Sequence, residues 1–141
     1  MATKQFVVFT LDGEEFGIEI TQVNIIEKPM EVFKVPNTPD FVEGVINLRG
    51  KVHTLLNLRK RFNIPFKEYD DDTRFIIAGI GSSLVGLVVD EVKEIIALDE
   101  ENIEAVPQTL SGLRKEFIKG LAKTDNRVIM LPDLDSVIEL G

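Results

Sequence analysis

The sequence predicts an all-β fold with a few short helices, built as two small related barrels that share one hydrophobic core. Three observations predict it. The strand-like runs are short, rich in β-branched and aromatic residues, and separated by Gly, Asn and Asp turns. Helical periodicity is scarce. The chain also repeats itself: Phe6-Val7-Val8-Phe9-Thr10-Leu11 lies over Phe75-Ile76-Ile77-Ala78-Gly79-Ile80, and Gly17 over Gly86, at an offset of 69 residues. Units of about 65 residues bury too little surface to be secure alone, so the halves are expected to pack on each other.

In chain order, the run from Phe6 to Leu11, the Asp12-Gly13 turn and the alternating Phe16-Gly17-Ile18-Glu19-Ile20 predict a first β-hairpin. Arg74 to Ile80, the Gly81-Ser82-Ser83 turn and Leu84 to Val89 predict a second. The glycines near that turn do not make a phosphate loop, because no Lys-Ser/Thr follows Gly86 and both flanks read as strands. A further match places Gly44-Val45-Ile46 over Gly120-Leu121-Ala122 and Leu55 to Leu58 over Leu131 to Leu134, at an offset of 76. The seven extra residues fall at 110–117, where the pattern predicts a short helix. Asp133-Leu134-Asp135-Ser136-Val137-Ile138 predicts a closing helix with an acidic first turn. The reading is thus one domain over residues 1–141, with internal halves at 1–66 and 73–141, room for strand exchange between them, and 65–72 as the bridge.

Composition narrows the chemistry. The chain has no cysteine, which removes disulfides, thiolate nucleophiles and thiolate zinc sites. A net charge of −8 opposes binding to phosphate backbones, so no nucleic acid is expected as a partner. The one basic run, Arg59-Lys60-Arg61, lacks interleaved aromatics and reads as solvated surface. No apolar run approaches the ~20 residues of a membrane span and no signal sequence opens the chain, so a cytoplasmic protein without direct membrane insertion is expected. His53 has no triad partner and reads as structural or solvated. Asp70-Asp71-Asp72, Glu14-Glu15 and Asp99-Glu100-Glu101 read as acidic turns rather than ion ligands or an acid/base pair. No catalytic residue, metal ligand or cofactor emerges, and the chain is expected not to be an enzyme.

What remains is Asn47-Leu48-Arg49-Gly50 between two apolar segments. A turn glycine permits positive φ, and an arginine there presents a rigid fork of donors to a carboxylate or carbonyl. From spacing alone, a hairpin turn with an incidental arginine is the simpler reading.

At Phe41-Val42-Glu43-Gly44-Val45-Ile46-Asn47-Leu48-Arg49-Gly50 the chain resembles the bacterial chemotaxis coupling proteins, the CheW family. Phe9-x-Leu11 with Gly17-Ile18, Asn37-Thr38-Pro39-x-Phe41, and Gly86-Leu87-Val88-Val89-Asp90-x-Val92 follow the family in order, from about Lys4 to Leu140. The resemblance implies two five-stranded barrels of the Src-homology-3-like type. It also implies a non-enzymatic adaptor, monomeric when free, that holds the histidine kinase CheA by its regulatory domain against the cytoplasmic tips of methyl-accepting chemotaxis receptors, at the inner face of the membrane. By the same resemblance Asn47, Leu48, Arg49 and Gly50 are receptor-side residues, Gly86 and Ile95 line an adjacent apolar groove, and Ile20, Val23 and Gly44 are kinase-side residues. Each of Ile20, Val23, Gly44, Gly86 and Ile95 also has a plain reading, as core residues or as glycines serving tight backbone geometry. The chain departs from the family at Ile25, where a glutamate is common, and at Thr54 and Asn57, where proline and aspartate are frequent; these change an edge contact, a turn's rigidity and a helix cap. Two other readings stand beside the adaptor. One is a detached kinase regulatory domain of the same fold; the other is a small metal-dependent hydrolase using the acidic turns.

Overall fold

A computed structural model of the chain describes residues 2–107 and 115–139. The first hairpin is β1 (Thr3–Leu11) and β2 (Glu14–Glu19), turning at Asp12 and Gly13, both at positive φ. A 3-10 turn (Ile20–Gln22) leads into β3 (Val23–Glu27), and a second hairpin follows as β4 (Val42–Leu48) and β5 (Lys51–Asn57). A single-turn helix, α1 (Leu58–Arg61), closes this half; the side chain of Asn57 caps it by accepting the Lys60 N–H at 3.2 Å. The second half repeats the order: β6 (Arg74–Ile80), β7 (Ser83–Val89), β8 (Glu91–Asp99), a two-residue β9 (Ile103–Glu104), β10 (Ile118–Thr124), β11 (Arg127–Pro132) and α2 (Leu134–Val137), capped by Asp133. Both predicted offsets hold for these elements: β6 and β7 lie over β1 and β2, and β10, β11 and α2 over β4, β5 and α1. Of the short helix predicted at 110–117, residues 110–114 lie outside the described residues, and Lys115–Phe117 is a 3-10 turn.

The two sheets each draw on both parts of the chain. One runs β3-β6-β7-β5-β4 and the other β8-β1-β2-β11-β10-β9. Exchanging each strand for its repeat converts the first order into the second, with the short β9 added at the edge, so a pseudo-two-fold relates two Src-homology-3-like barrels. The irregularities repeat as well. Register shifts occur between Val42 and Gly44 and between Ile118 and Gly120, and a parallel pair joins β5 to β7 and β11 to β2.

Burial follows this plan. Phe6, Val8, Leu98, Ala122, Ile129 and Leu131 fill the six-stranded barrel. Ile46, Leu55, Phe75, Ile77 and Val88 fill the five-stranded one, with Ile25 of edge strand β3 and Leu48 of edge strand β4 both packed on them. The largest cluster lies between the barrels and combines β1 and β2 residues with those of β6 and β7, both helices, Phe62 and Phe117. Through it runs an aromatic ladder, Phe9, Phe16, Phe62 and Phe117, with ring centroids 5.6 to 5.7 Å apart. Contacts of this kind add about 0.5–1.5 kcal/mol each beyond area burial, so the ladder helps to hold the two halves together.

Candidate functional site

The 47–50 turn projects from the edge of the five-stranded barrel, joining β4 to β5 with Leu48 opposite Lys51. Arg49 (φ 54°) and Gly50 (φ 82°) are both left-handed, the signature of a two-residue turn whose twist matches its strands. The Gly50 N–H donates to the Asn47 side-chain oxygen at 3.2 Å. Leu48 is half-buried on the five-stranded barrel's core. Folding therefore accounts for Asn47, Leu48 and Gly50. It does not account for Arg49, which holds a strained conformation for a side chain that is exposed and, among the described residues, makes no hydrogen bond or ion pair. A fork of donors fixed on a rigid turn and left unused is equipped to grip an acidic or carbonyl-rich partner.

Beside the turn, β5 and β7 pair only at Leu55 to Asn57 with Gly86 to Val88. Ahead of that point the strands separate, leaving an open groove of about 390 Å³ lined by Val52, His53, Thr54, Leu56, Leu84 and Ile138, among others. Val52, 65% exposed, stands opposite Asn47 and links turn to groove. The resemblance implied an apolar groove beside the turn lined by Gly86 and Ile95; neither lines this one, and the place of His53 and Thr54 in it was not foreseen, since a strand separation depends on pairing across the repeat. Gly86 sits where the two strands meet and is buried: a Cβ there would lie 2.9 Å from Leu55 Cδ1 and 3.3 Å from Ile77 Cδ1. Ile95 is 54% exposed on β8, in the other sheet. The structure thus gathers the four turn residues, buries Gly86 in the core of the same barrel against Leu55, Ile77 and Ile46, and leaves Ile95 apart.

Ile20 opens the 3-10 turn between β2 and β3 and Val23 follows it; both are half-buried, Val23 against the shared core. Gly44 lies on the opposite edge strand. Its φ is 146°, and a Cβ there would overlap the carbonyl oxygen of Phe33. The missing side chain lets the segment after β3 lie flat on β4, where Phe33 and Val45 exchange backbone hydrogen bonds of 2.9 and 2.8 Å. Phe33 is itself 49% exposed.

Two expectations need correction. The run Arg59-Lys60-Arg61 is not simply solvated: Arg59 binds Asp90 in a bidentate pair, Nε to Oδ1 at 2.8 Å and Nη2 to Oδ2 at 2.6 Å, with both side chains largely buried. Arg61 donates to three carbonyls at the end of α2. The reason is that α1 turns these side chains inward, toward the other barrel, which no local pattern reveals. Glu15, read as part of an acidic turn, is instead a residue of β2 bound bidentately by Arg127 at 2.9 Å. Those hydrogen bonds, more than the neighbouring charges, hold its carboxyl below the usual range against the opposing effect of burial. Burial acts on Asp90 in the opposite sense to its partners, yet the Arg59 guanidinium and the Asp12 N–H outweigh it and hold its carboxyl low.

The CheW-like domain family model matches residues 5–140. The chain is 36% identical to the chemotaxis protein CheW of Klebsiella aerogenes over 135 residues, covering 96% of this chain and 81% of that protein. It is also 36% identical to the Bacillus subtilis chemotaxis protein CheW, covering 96% and 87%. The crystal structure of the scaffolding protein TtCheW from Thermoanaerobacter tengcongensis superposes with a TM-score of 0.92 at 38% identity, covering 99% of this chain and 95% of that one. The two pseudo-symmetric barrels expected from sequence are thus the fold of a solved relative, and the chain belongs to the CheW family.

Proposed function

We propose that this protein is a non-enzymatic chemotaxis adaptor, coupling the tips of methyl-accepting receptors to the histidine kinase CheA so that receptor state controls the kinase. The observation that carries the reading is the family match over residues 5–140 together with an arginine that the fold displays and does not use. In this reading Arg49 grips the receptor, with Asn47, Leu48 and Gly50 building its turn, Gly86 supporting that turn from the core and Ile95 a secondary contact. Ile20, Val23 and Gly44 shape the kinase side. The signal passes through assembly geometry, without a cofactor or covalent step. The protein would work in the cytoplasm and reach the membrane through its receptor; among the described residues no helix is long and apolar enough to cross one.

The test is binding of purified protein to a receptor tip fragment and to the kinase regulatory domain. Arg49→Ala and Arg49→Glu are expected to lose receptor binding while keeping fold and kinase binding. Arg49→Gly sharpens this, because it relieves a left-handed side chain and is expected to keep or raise stability by up to about 1 kcal/mol while still losing the receptor. Failure of the parent to bind either partner at tens of micromolar overturns the proposal; loss of folding in every Arg49 variant would return the residue to a structural role.

A further inference from the structure

The helix α1 spans one turn, yet it carries two arginines that reach toward the other barrel: Arg61 to α2, and Arg59, which also donates to the Pro65 carbonyl beside its own helix at 2.7 Å, to Asp90 in the β7–β8 connection and to Asp12 at 3.6 Å. Arg59 forks onto Asp90, whose Oδ2 also accepts the Asp12 N–H at 2.8 Å from the β1–β2 turn of the six-stranded barrel. The Asp90 N–H in turn donates to the Thr10 carbonyl of β1. Arg61 reaches the far end of α2, donating from Nε to the Val137 carbonyl at 2.8 Å and from Nη2 to those of Ser136 and Glu139 at 3.1 and 2.7 Å. These carbonyls lie at and just past the C-terminus of α2, where a cation is favoured; that of Ser136 also accepts the Glu139 N–H at 3.3 Å. The same guanidinium lies 4.1 Å from the Phe41 ring centroid and 4.5 Å from that of Phe117.

Duplication does not explain this arrangement. Phe41 and Phe117 are repeat equivalents, and Arg61 sits between them near the pseudo-two-fold, but the repeat equivalents of Arg59 and Arg61 are Asp135 and Val137. Both tethers therefore run one way, from α1 outward, and α2 returns none of its own. α1 also follows β5 directly, and β5 follows the 47–50 turn, so the element that bears Arg49 ends in the element that holds the other barrel.

We propose that Arg59 and Arg61 are positioning residues that fix the angle between the two barrels, and that this fixed angle is what lets events at the 47–50 turn act on a partner held elsewhere on the molecule. The second half of the proposal rests on the adaptor reading; the first does not. Neither arginine belongs to the proposed receptor or kinase face.

Residual dipolar couplings of the free protein test the first half. One alignment tensor is expected to fit both barrels in the parent, whereas Arg59→Ala/Arg61→Ala is expected to need two, with the amide shifts inside each barrel preserved. A parent that already needs two tensors, or a folded double variant that one tensor still fits, overturns the proposal. Should the double variant not fold, Arg59→Lys and Arg61→Lys keep the charge but lose the fork and are expected to show the same divergence in smaller degree; an unchanged tensor in both counts equally against it. The second half is tested with kinase and receptor present: the variants are expected to bind both partners while receptor control of kinase activity falls about tenfold, within the usual range of coupling between sites. Full control with diverged barrels refutes that half alone. A parent that binds neither partner sinks the adaptor reading and leaves the alignment result standing.

Discussion

Replacing Gly44 by alanine sets a close backbone approach against a side chain that has nowhere to go. The added Cβ would overlap the Phe33 carbonyl oxygen and sit 3.1 Å from Val32 Cγ1, at a φ of 146° that L-residues rarely adopt. Backbone cannot swing aside as a flexible side chain does. Either the residue bears the strain, about 1–3 kcal/mol, or the segment lifts and loses the two hydrogen bonds between Phe33 and Val45, each with a net value of about 0.5–1.5 kcal/mol. Either route costs roughly 1–3 kcal/mol, a sizeable part of a total stability of about 5–15 kcal/mol. Urea unfolding should show the midpoint fall with little change in slope, and hydrogen exchange should show the Phe33 and Val45 amides losing protection. Gly50→Ala is the control. Its φ is also positive, but nothing lies within 4 Å, so only the left-handed penalty of about 1–2 kcal/mol applies. A Gly44→Ala protein no less stable than Gly50→Ala, with both amides still protected, would refute the reasoning and remove the packing explanation for Gly44.

Two further outcomes follow from titration. Asp90 has its carboxyl lowered in the fold from the ordinary 3.8, so its contribution is present above that value and is lost as pH falls through the depressed one. The stability difference between parent and Asp90→Asn should be constant from pH 5 to 8 and shrink below about pH 4; a difference that grows on acidification contradicts the ion pair. Tyr69 is the only tyrosine in a chain without tryptophan. Tyr69 is 37% exposed, but partial burial of its phenol, reinforced by the nearby Glu43 carboxylate that accepts its hydroxyl at 3.4 Å, raises its pKa above the ordinary 10.0. A folded pKa raised in this way stabilises below pH 10 and ceases to do so as the unfolded-state phenol ionises. Ultraviolet titration should show tyrosinate forming in folded protein only above the ordinary 10.0; a reversible rise centred near 10 shows the side chain free.

Much of this was legible in the chain because the repeat preserves local chemistry. Asp12-Gly13 and Gly50 announce tight turns through residues that accept positive φ, and both hairpins at these turns are present. The closing helix is present with Asp135 in its first turn, as the acidic start suggested, and Asp133 caps it. Which strands pair across the repeat was not legible: an offset shows which segments resemble each other, but the parallel β5–β7 and β11–β2 contacts depend on the packed core. The same limit misplaced the lining of the groove, which holds Val52 and His53 rather than Gly86 and Ile95. It also hid Arg59 and Arg61, whose partners lie 31 and 75 or more residues away and whose charges look like surface until α1 turns them inward. Within the candidate site, the turn's construction could be read from residue types, whereas the idleness of Arg49 could only be seen once its surroundings were in place.

The most direct measurement is amide chemical-shift mapping of a receptor tip fragment and the kinase regulatory domain, each alone and then together, onto the labelled protein. The account predicts a receptor footprint around Asn47 to Thr54, a kinase footprint that includes Ile20 and Val23, and retention of both when the two are mixed. Overlapping footprints, with one fragment displacing the other, would contradict it.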